Sequence, residues 1–281
     1  MKFVKMHGLG NDFVFIENKD GRDKNFSELA RCMCKRHTGI GADGLIIIAG
    51  SDAADVRMRI INADGSEAEM CGNGIRCVSR YLYDNKLTVK KEFQMETGAG
   101  ILVPKIMEEG GKVTGVRVDM GEPRLAAADI PFAPAPGEAA DALWHEIGLD
   151  GASARFSCVN MGNPHAVLVV DDVHYAPVAE WGARLERHPQ FPERVNVGFM
   201  QVLDAHHIRL RVFERGTGET QACGTGACAA AVAGMRAGLL ARQGAVCVSL
   251  PGGDLQIEWA ADNHVLMSGS AATVFEGTVT Y

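Results

Sequence analysis

The 281-residue sequence has no lysine after Lys112. It also lacks a CxxC pair, an apolar run long enough to span a membrane, and any excess of positive charge. Each absence excludes something. A net charge of −7 gives no basic face for nucleic acid. The most apolar stretch, 225–240, is interrupted by Arg236 and reads as a buried helix, so no membrane partner is expected. The opening MKFVKMHGLGNDF carries no signal-peptide core or cleavage site, and the expected location is the cytoplasm. The eight cysteines (32, 34, 71, 77, 158, 223, 228 and 247) are not spaced as a disulfide framework. Cys32-x-Cys34 falls in a helix-like stretch where i and i+2 face apart, a poor metal clamp, and no metal is expected. Most of these thiols read as small buried hydrophobes.

A length of 281 residues, 47% hydrophobic and 22% charged, suits one large soluble domain or two ordinary ones. Strands are expected around the Gly-rich HGLGND turn, at 44–48 and at 56–62. A helix is expected from Ser27 to His37, with Ser27 as its N-cap. NADGSEAEMCGNG (62–74) reads as a loop and 75–85 as the helix after it. PFAPAPGEAA (131–140) reads as a connection. The second half repeats this grammar. Strands are expected at 154–160, 165–170, 195–203 and 207–213, helices near 177–187 and over 226–240, and a loop before the last helix. Many strands with few long helices point to an α+β fold.

Two short stretches carry chemistry. EMCGNGIRC (69–77) and QACGTGACA (221–229) each place Cys-Gly-polar-Gly before a helix, at corresponding places in the two halves. Glycine lets a ligand approach the backbone. A helix start offers unpaired N–H groups and partial positive charge, suited to a carboxylate. A cysteine there is expected to have its pKa lowered toward working pH. One such turn could be ordinary punctuation; a matched pair suggests two thiols flanking one substrate. That arrangement fits inversion at a carbon next to a carboxylate, one thiolate removing the α-proton and the opposite thiol returning one. A pyridoxal enzyme would use a Schiff-base lysine. The half with Cys223 has none and no earlier lysine sits in a recognisable site, so no cofactor is expected.

Asn11, Asn62, Asn163 and Asn196 lie in turn-like contexts. Each is an ordinary turn residue or a holder of an amino acid's ammonium and carboxylate. Glu214 and Arg215 read either as a solvated pair or as partners for a substrate ammonium and carboxylate. His165, after Asn-Pro, is a supporting group or a structural histidine.

The chain resembles the diaminopimelate epimerase family of pyridoxal-independent amino-acid racemases. The matching residues are KMHGLGNDF (5–13), RHTGIGADG (36–44), NADGSEAEMCGNGIRC (62–77), MGNPH (161–165), FPERVNVGF (191–199) and ERGTGETQACGTGACA (214–229). The resemblance implies two pseudo-symmetric domains, each a β-barrel-like sheet around a central helix, with the site in the cleft. The boundaries expected are 1–120 plus 266–281, carrying Cys71, and 121–265, carrying Cys223. It implies Cys71 and Cys223 as the acid/base thiols. Asn11, Asn62, Asn163, Asn196, Glu214 and Arg215 would hold a diamino dicarboxylic acid. Gly72, Asn73, Gly224 and Thr225 would supply helix-start donors to the reacting carboxylate, and His165 and Glu214 would support the thiols. The implied reaction interconverts LL- and meso-diaminopimelate, for lysine and cell-wall synthesis. A homodimer is expected from the resemblance alone. Gly44 departs from relatives with glutamine there, so no side-chain contact is carried over. The competing readings are a proline-type racemase, an amino-acid-binding module and a metal-bound thiol protein.

Overall fold

The computed structural model describes residues 1–18, 25–139, 141–149 and 152–280. It divides into two compact units, Met1–Asp119 with Ser268–Tyr281, and Met120–Met267. The first division precedes the proline-rich stretch; residues 131–139 form no helix or strand, and Ala140 lies outside the described residues.

Along the first unit run β1 (Lys2–Gly8), β2 (Asn11–Asn18), α1 (Phe26–Met33), β3 (Gly44–Ala49), β4 (Val56–Asn62), β5 (Glu67–Ala68) and α2 (Gly72–Asp84). After these come β6 (Met95–Thr97), β7 (Gly100–Leu102), β8 (Lys105–Glu109) and β9 (Lys112–Asp119). The second unit holds β10 (His145–Leu149), β11 (Ala152–Asn160), β12 (Pro164–Val169), α3 (Val178–Glu186), β13 (Asn196–Asp204), β14 (His207–Glu214) and β15 (Gly218–Thr220). It continues through α4 (Gly224–Arg236), β16 (Val246–Leu250), β17 (Gly253–Trp259) and β18 (Val265–Gly269), before β19 (Ala272–Thr278) returns the chain to the first unit.

The two units repeat one topology. In the first, the strand order is β19-β1-β2-β3-β4-β6-β7, with β5 on β4. In the second the matching run is β10-β11-β12-β13-β14-β16-β17, with β15 on β14, and the sheet continues from β17 to β18. β2 and β3 are parallel and joined through α1; β12 and β13 are parallel and joined through α3. β4 and β6 are parallel and joined through α2; β14 and β16 are parallel and joined through α4. Each long helix is thus the crossover between two parallel strands, and each begins just after one of the singled-out cysteines. The architecture is α+β, two sheet-rich domains with few helices.

Local sequence explains the elements. GLIII of β3 is buried throughout because the strand lies between β2 and β4. Eleven residues of α4 are buried, mostly alanine and glycine, and it packs on β11, β12, β13, β14, β16 and β17. A helix apolar all round needs such enclosure, and small side chains let the strands come close. No helix among the described residues is long and apolar enough to cross a membrane.

Several expectations require correction. The N-cap of α1 is Asn25, not Ser27: its side chain accepts from the Glu28 N–H at 3.2 Å and donates back to Glu28 Oε2 at 3.1 Å. The helix stops at Met33, not His37, because the N–H groups of Ile40 and Gly41 take the Met33 carbonyl. The final helix starts at Gly224 and ends at Arg236, not Leu240, where Gly238 at φ +69° and the Leu239 N–H bond to Gly234 O close it. The loops before α2 and α4 each contain a short strand, β5 and β15.

Candidate active site

Cys71 is the N-cap of α2, in extended conformation and half-buried. Its thiol donates to Asn11 Oδ1 at 3.6 Å. Asn73 Nδ2 donates to the same oxygen at 3.0 Å, and Asn11 Nδ2 donates to Asp43 Oδ2 at 2.8 Å. Beneath them lies Arg76, fully buried, donating to Asn73 Oδ1 at 2.8 Å, Gly72 O at 3.2 Å and Ser270 O at 3.3 Å. The first turn of α2 contains no acidic residue, so its N–H groups face outward with their positive field uncompensated by that turn. Gly72 and Asn73 sit there. Asn62 ends β4; its amide donates to Ser66 Oγ at 3.0 Å and shapes the β4–β5 turn, while the Ala63 N–H binds Asp43 O.

Cys223 caps α4 in the same way but is buried. Its sulfur accepts from the Gly226 N–H at 3.3 Å and lies 3.6 Å from Thr225 Oγ1. A Cβ on residue 226 would sit 3.2 Å from that sulfur, so glycine is what lets the sulfur close on the amide. Thr225 Oγ1 is 3.1 Å from His165 Nε2, which also faces Asn163 Oδ1 at 2.9 Å. With the Asn163 oxygen as acceptor, Nε2 carries the ring proton. Burial, with the Arg215 cation second, pulls His165 down to about 3, so the ring is neutral. Asn196 Nδ2 donates to Pro164 O at 2.9 Å and its Oδ1 accepts the Arg215 N–H at 2.9 Å. Glu214, at the end of β14, takes the Thr220 hydroxyl. Arg215 is exposed and its guanidinium reaches Glu193 O at 2.8 Å. The first turn of α4, with Gly224 and Thr225, also has no acidic residue.

The expected lowering of the second thiol's pKa is overturned. Burial pushes Cys223 well above its ordinary value, and the Glu214 carboxylate, which accepts its proton, pushes the same way. The Thr225 and Gly226 donors oppose this without winning. The helix-start argument omits desolvation, the largest influence here. Burial and the adjacent Glu214 carboxylate therefore both favour the protonated Cys223.

The first unit thus gathers Cys71, Asn11, Asn73 and Gly72; the second gathers Cys223, Thr225, Gly224, His165, Asn163, Asn196 and Glu214. Sequence reasoning missed Asp43 and Arg76. Arg76 could have been noticed as a charge between the apolar residues Ile75 and Cys77. Gly44 also acquires a reason. A Cβ there would lie 2.9 Å from Ile61 O and 3.3 Å from the Phe13 ring, so this backbone leaves no room for a side chain.

A family model described as diaminopimelate epimerase matches residues 3–126 and 157–274. The chain is 54% identical to the diaminopimelate epimerase of Moorella thermoacetica over 279 residues, covering 99% of this chain and 98% of that one. It is 52% identical to the diaminopimelate epimerase of Neisseria meningitidis, covering 100% and 99%. The fold is similar to that of a phenazine biosynthesis protein of the PhzF family from Bacillus anthracis, with a TM-score of 0.73 at 18% identity, covering 100% of this chain and 99% of that one.

Proposed function

From the premise that the chain belongs to the diaminopimelate epimerase family, and is therefore an isomerase of the epimerase type, we propose that it interconverts LL- and meso-2,6-diaminopimelate by two-base proton transfer. One observation carries the reading. A duplicated topology places a cysteine at the N-cap of each crossover helix, ahead of a first turn with no acidic residue of its own. In the proposal the α-carbon lies between the two sulfurs. In one direction Glu214 takes the Cys223 proton, the thiolate removes the α-proton, and the Cys71 thiol delivers its proton to the opposite face. The Cys223 S–H breaks as an O–H forms on Glu214, the α C–H breaks as the Cys223 S–H re-forms, and the Cys71 S–H breaks as the new C–H forms, leaving a Cys71 thiolate and a protonated Glu214 that exchange a proton through solvent. The reverse direction retraces these steps, the Cys71 thiolate removing the α-proton and Cys223 delivering one before Glu214 returns its proton to that sulfur. Charge developing on the substrate carboxylate is stabilised by the N–H groups of Gly72–Asn73 and Gly224–Thr225. His165, held neutral, orients the Thr225 hydroxyl beside Cys223 without adding a charge. Asn11, Asn62, Asn163, Asn196 and Arg215 hold the remaining ammonium and carboxylate groups.

In the same reading each unit serves as one epimerase domain, and the reaction needs no added cofactor. A cytoplasmic location, a homodimer and a role in lysine and peptidoglycan precursor synthesis follow from the family resemblance. The substrate assignment is tested by incubating the protein with LL-diaminopimelate and, separately, L-proline, and following stereochemistry by chiral chromatography. The expected result is a mixture of LL and meso forms from the first and unchanged L-proline from the second. Racemised proline with intact diaminopimelate would transfer the chain to another substrate. Saturable binding of diaminopimelate without inversion would make it a binding module.

A further inference from the structure

We infer that Asp43 is a positioning residue for Cys71, acting through the amide of Asn11. An asparagine amide can sit either way round, and its partners decide which. Here both ends of a two-amide chain are fixed by groups with only one role. At one end the Asp43 carboxylate can only accept, and Oδ2 takes the Asn11 NH2 at 2.8 Å. At the other end the Arg76 guanidinium can only donate, and holds Asn73 Oδ1 at 2.8 Å. Asn73 must therefore point its NH2 at Asn11, 3.0 Å away, and Asn11 must point its oxygen at both Asn73 and Cys71. The Cys71 sulfur consequently faces an acceptor. An acceptor stabilises the thiol and repels the thiolate.

The carboxylate is itself held. Arg36 binds Asp43 Oδ1 at 2.5 Å and grips both oxygens of Asp12, whose backbone N–H donates to Asp43 Oδ2 at 3.1 Å. The device belongs to the first unit alone. Aligning the parallel pairs Phe13–Gly44 and His165–Asn196 puts Val195, a buried apolar residue, at the position equivalent to Asp43. The two thiols are therefore tuned differently: Cys71 by an oriented amide oxygen, Cys223 by burial and Glu214. This inference rests on the proposed use of Cys71 as an acid/base, but the orientation of Asn11 can be measured without turnover.

The test is the rate of iodoacetamide alkylation of Cys71, followed by peptide mass spectrometry from pH 6 to 10, in Asn73→Ala and in Asp43→Asn on the Asn73→Ala background, because Asn73, held by Arg76, would by itself keep the Asn11 oxygen toward the sulfur. With the Asn73 donor gone and an amide at position 43 that can donate as well as accept, Asn11 is free to turn its NH2 toward the sulfur. The alkylation profile of Cys71 is expected to move to lower pH by about one unit, raising the rate near neutrality roughly tenfold. Loss of the carboxylate's charge alone would shift the profile the same way. That contribution is screened by salt, because the Asp43 side chain is 41% exposed, so the measurement is repeated in 1 M NaCl. A shift that persists supports orientation. A shift that vanishes in salt, or none at all, overturns it. On the same Asn73→Ala background Asp43→Ser, which also removes the carboxylate, must behave in the same sense, and Asp43→Glu must restore most of the profile of Asn73→Ala alone. Alkylation at Cys223 is expected to be unchanged. Should diaminopimelate prove not to be the substrate, these profiles would still be as stated.

Discussion

Replacing either Cys71 or Cys223 with alanine is expected to lower kcat for epimerisation by roughly a thousandfold, the middle of the range for a positioned acid or base. Alanine removes the only group at that position able to exchange a proton. The two losses differ in kind. With Cys223→Ala, the α-proton facing that sulfur has no base, while the Cys71 side keeps its acid. With Cys71→Ala, Cys223 can still remove the proton that faces it, and only Cys223 can return one. Each variant therefore retains solvent exchange from a single stereoisomer, without inversion. The stability costs differ as well. The Cys71 side chain makes no capping bond to its helix, so its removal leaves α2 intact. The Cys223 sulfur accepts the Gly226 N–H, so Cys223→Ala should cost about 1 kcal/mol. Stopped-time chiral assays with denaturant midpoints separate the two effects. Near-normal turnover in either variant would remove that cysteine from the mechanism.

The second large effect is on folding. Arg76→Ala is expected to destabilise the first unit by about 3–5 kcal/mol. The side chain is fully buried and donates to Gly72 O, Asn73 Oδ1 and Ser270 O. Truncation leaves these oxygens facing a cavity, and it frees the Asn73 amide in the first turn of the helix. Ser270 is 194 residues away in sequence, so the same arginine ties the returning C-terminal segment to α2. Arg80 gives the comparison: it is only partly buried, pairs with Asp84 one turn along and reaches Val113 O and Ala271 O only at 3.5 and 3.4 Å, so Arg80→Ala should cost less, about 1 kcal/mol. Urea unfolding followed by circular dichroism reads both. Equal and small shifts would mean that the buried guanidinium is structurally dispensable.

The repeat was legible in the sequence at its two most distinctive points. Cys-Gly-polar-Gly marks a helix start by composition alone, and both helices begin there. The rest of the duplication lies in strand pairing. β5 and β15 are two and three residues long, too short to leave a periodic signal, yet their pairing with β4 and β14 makes the units match. The alternation of parallel and antiparallel neighbours is likewise a property of the sheet, not of any one segment. Asn25 and Ser27 both fit the capping rule in sequence, and only the reciprocal bonds with Glu28 choose Asn25.

Among the site residues, those with distinctive neighbours in sequence were found, and those acting through another side chain were not. Asp43 sits in a GADG turn where aspartate needs no special explanation; its bond to Asn11 crosses 32 positions. For Cys223 the helix-start argument gives the wrong sign. A helix start favours a thiolate, but the sequence does not reveal that this sulfur is buried or that Glu214 approaches it. Desolvation and a neighbouring carboxylate outweigh the field of one helix end.

The central claim is that two different sulfurs serve the two faces of one carbon. Running the wild-type reaction in heavy water to a few per cent conversion, starting from each stereoisomer in turn, tests it most directly. The account predicts one solvent deuteron at the inverted α-carbon of the product and almost none in the recovered starting material. Deuterium accumulating equally in both, or product retaining the substrate's own α-hydrogen, would mean that one group does both jobs, contradicting the two-thiol account.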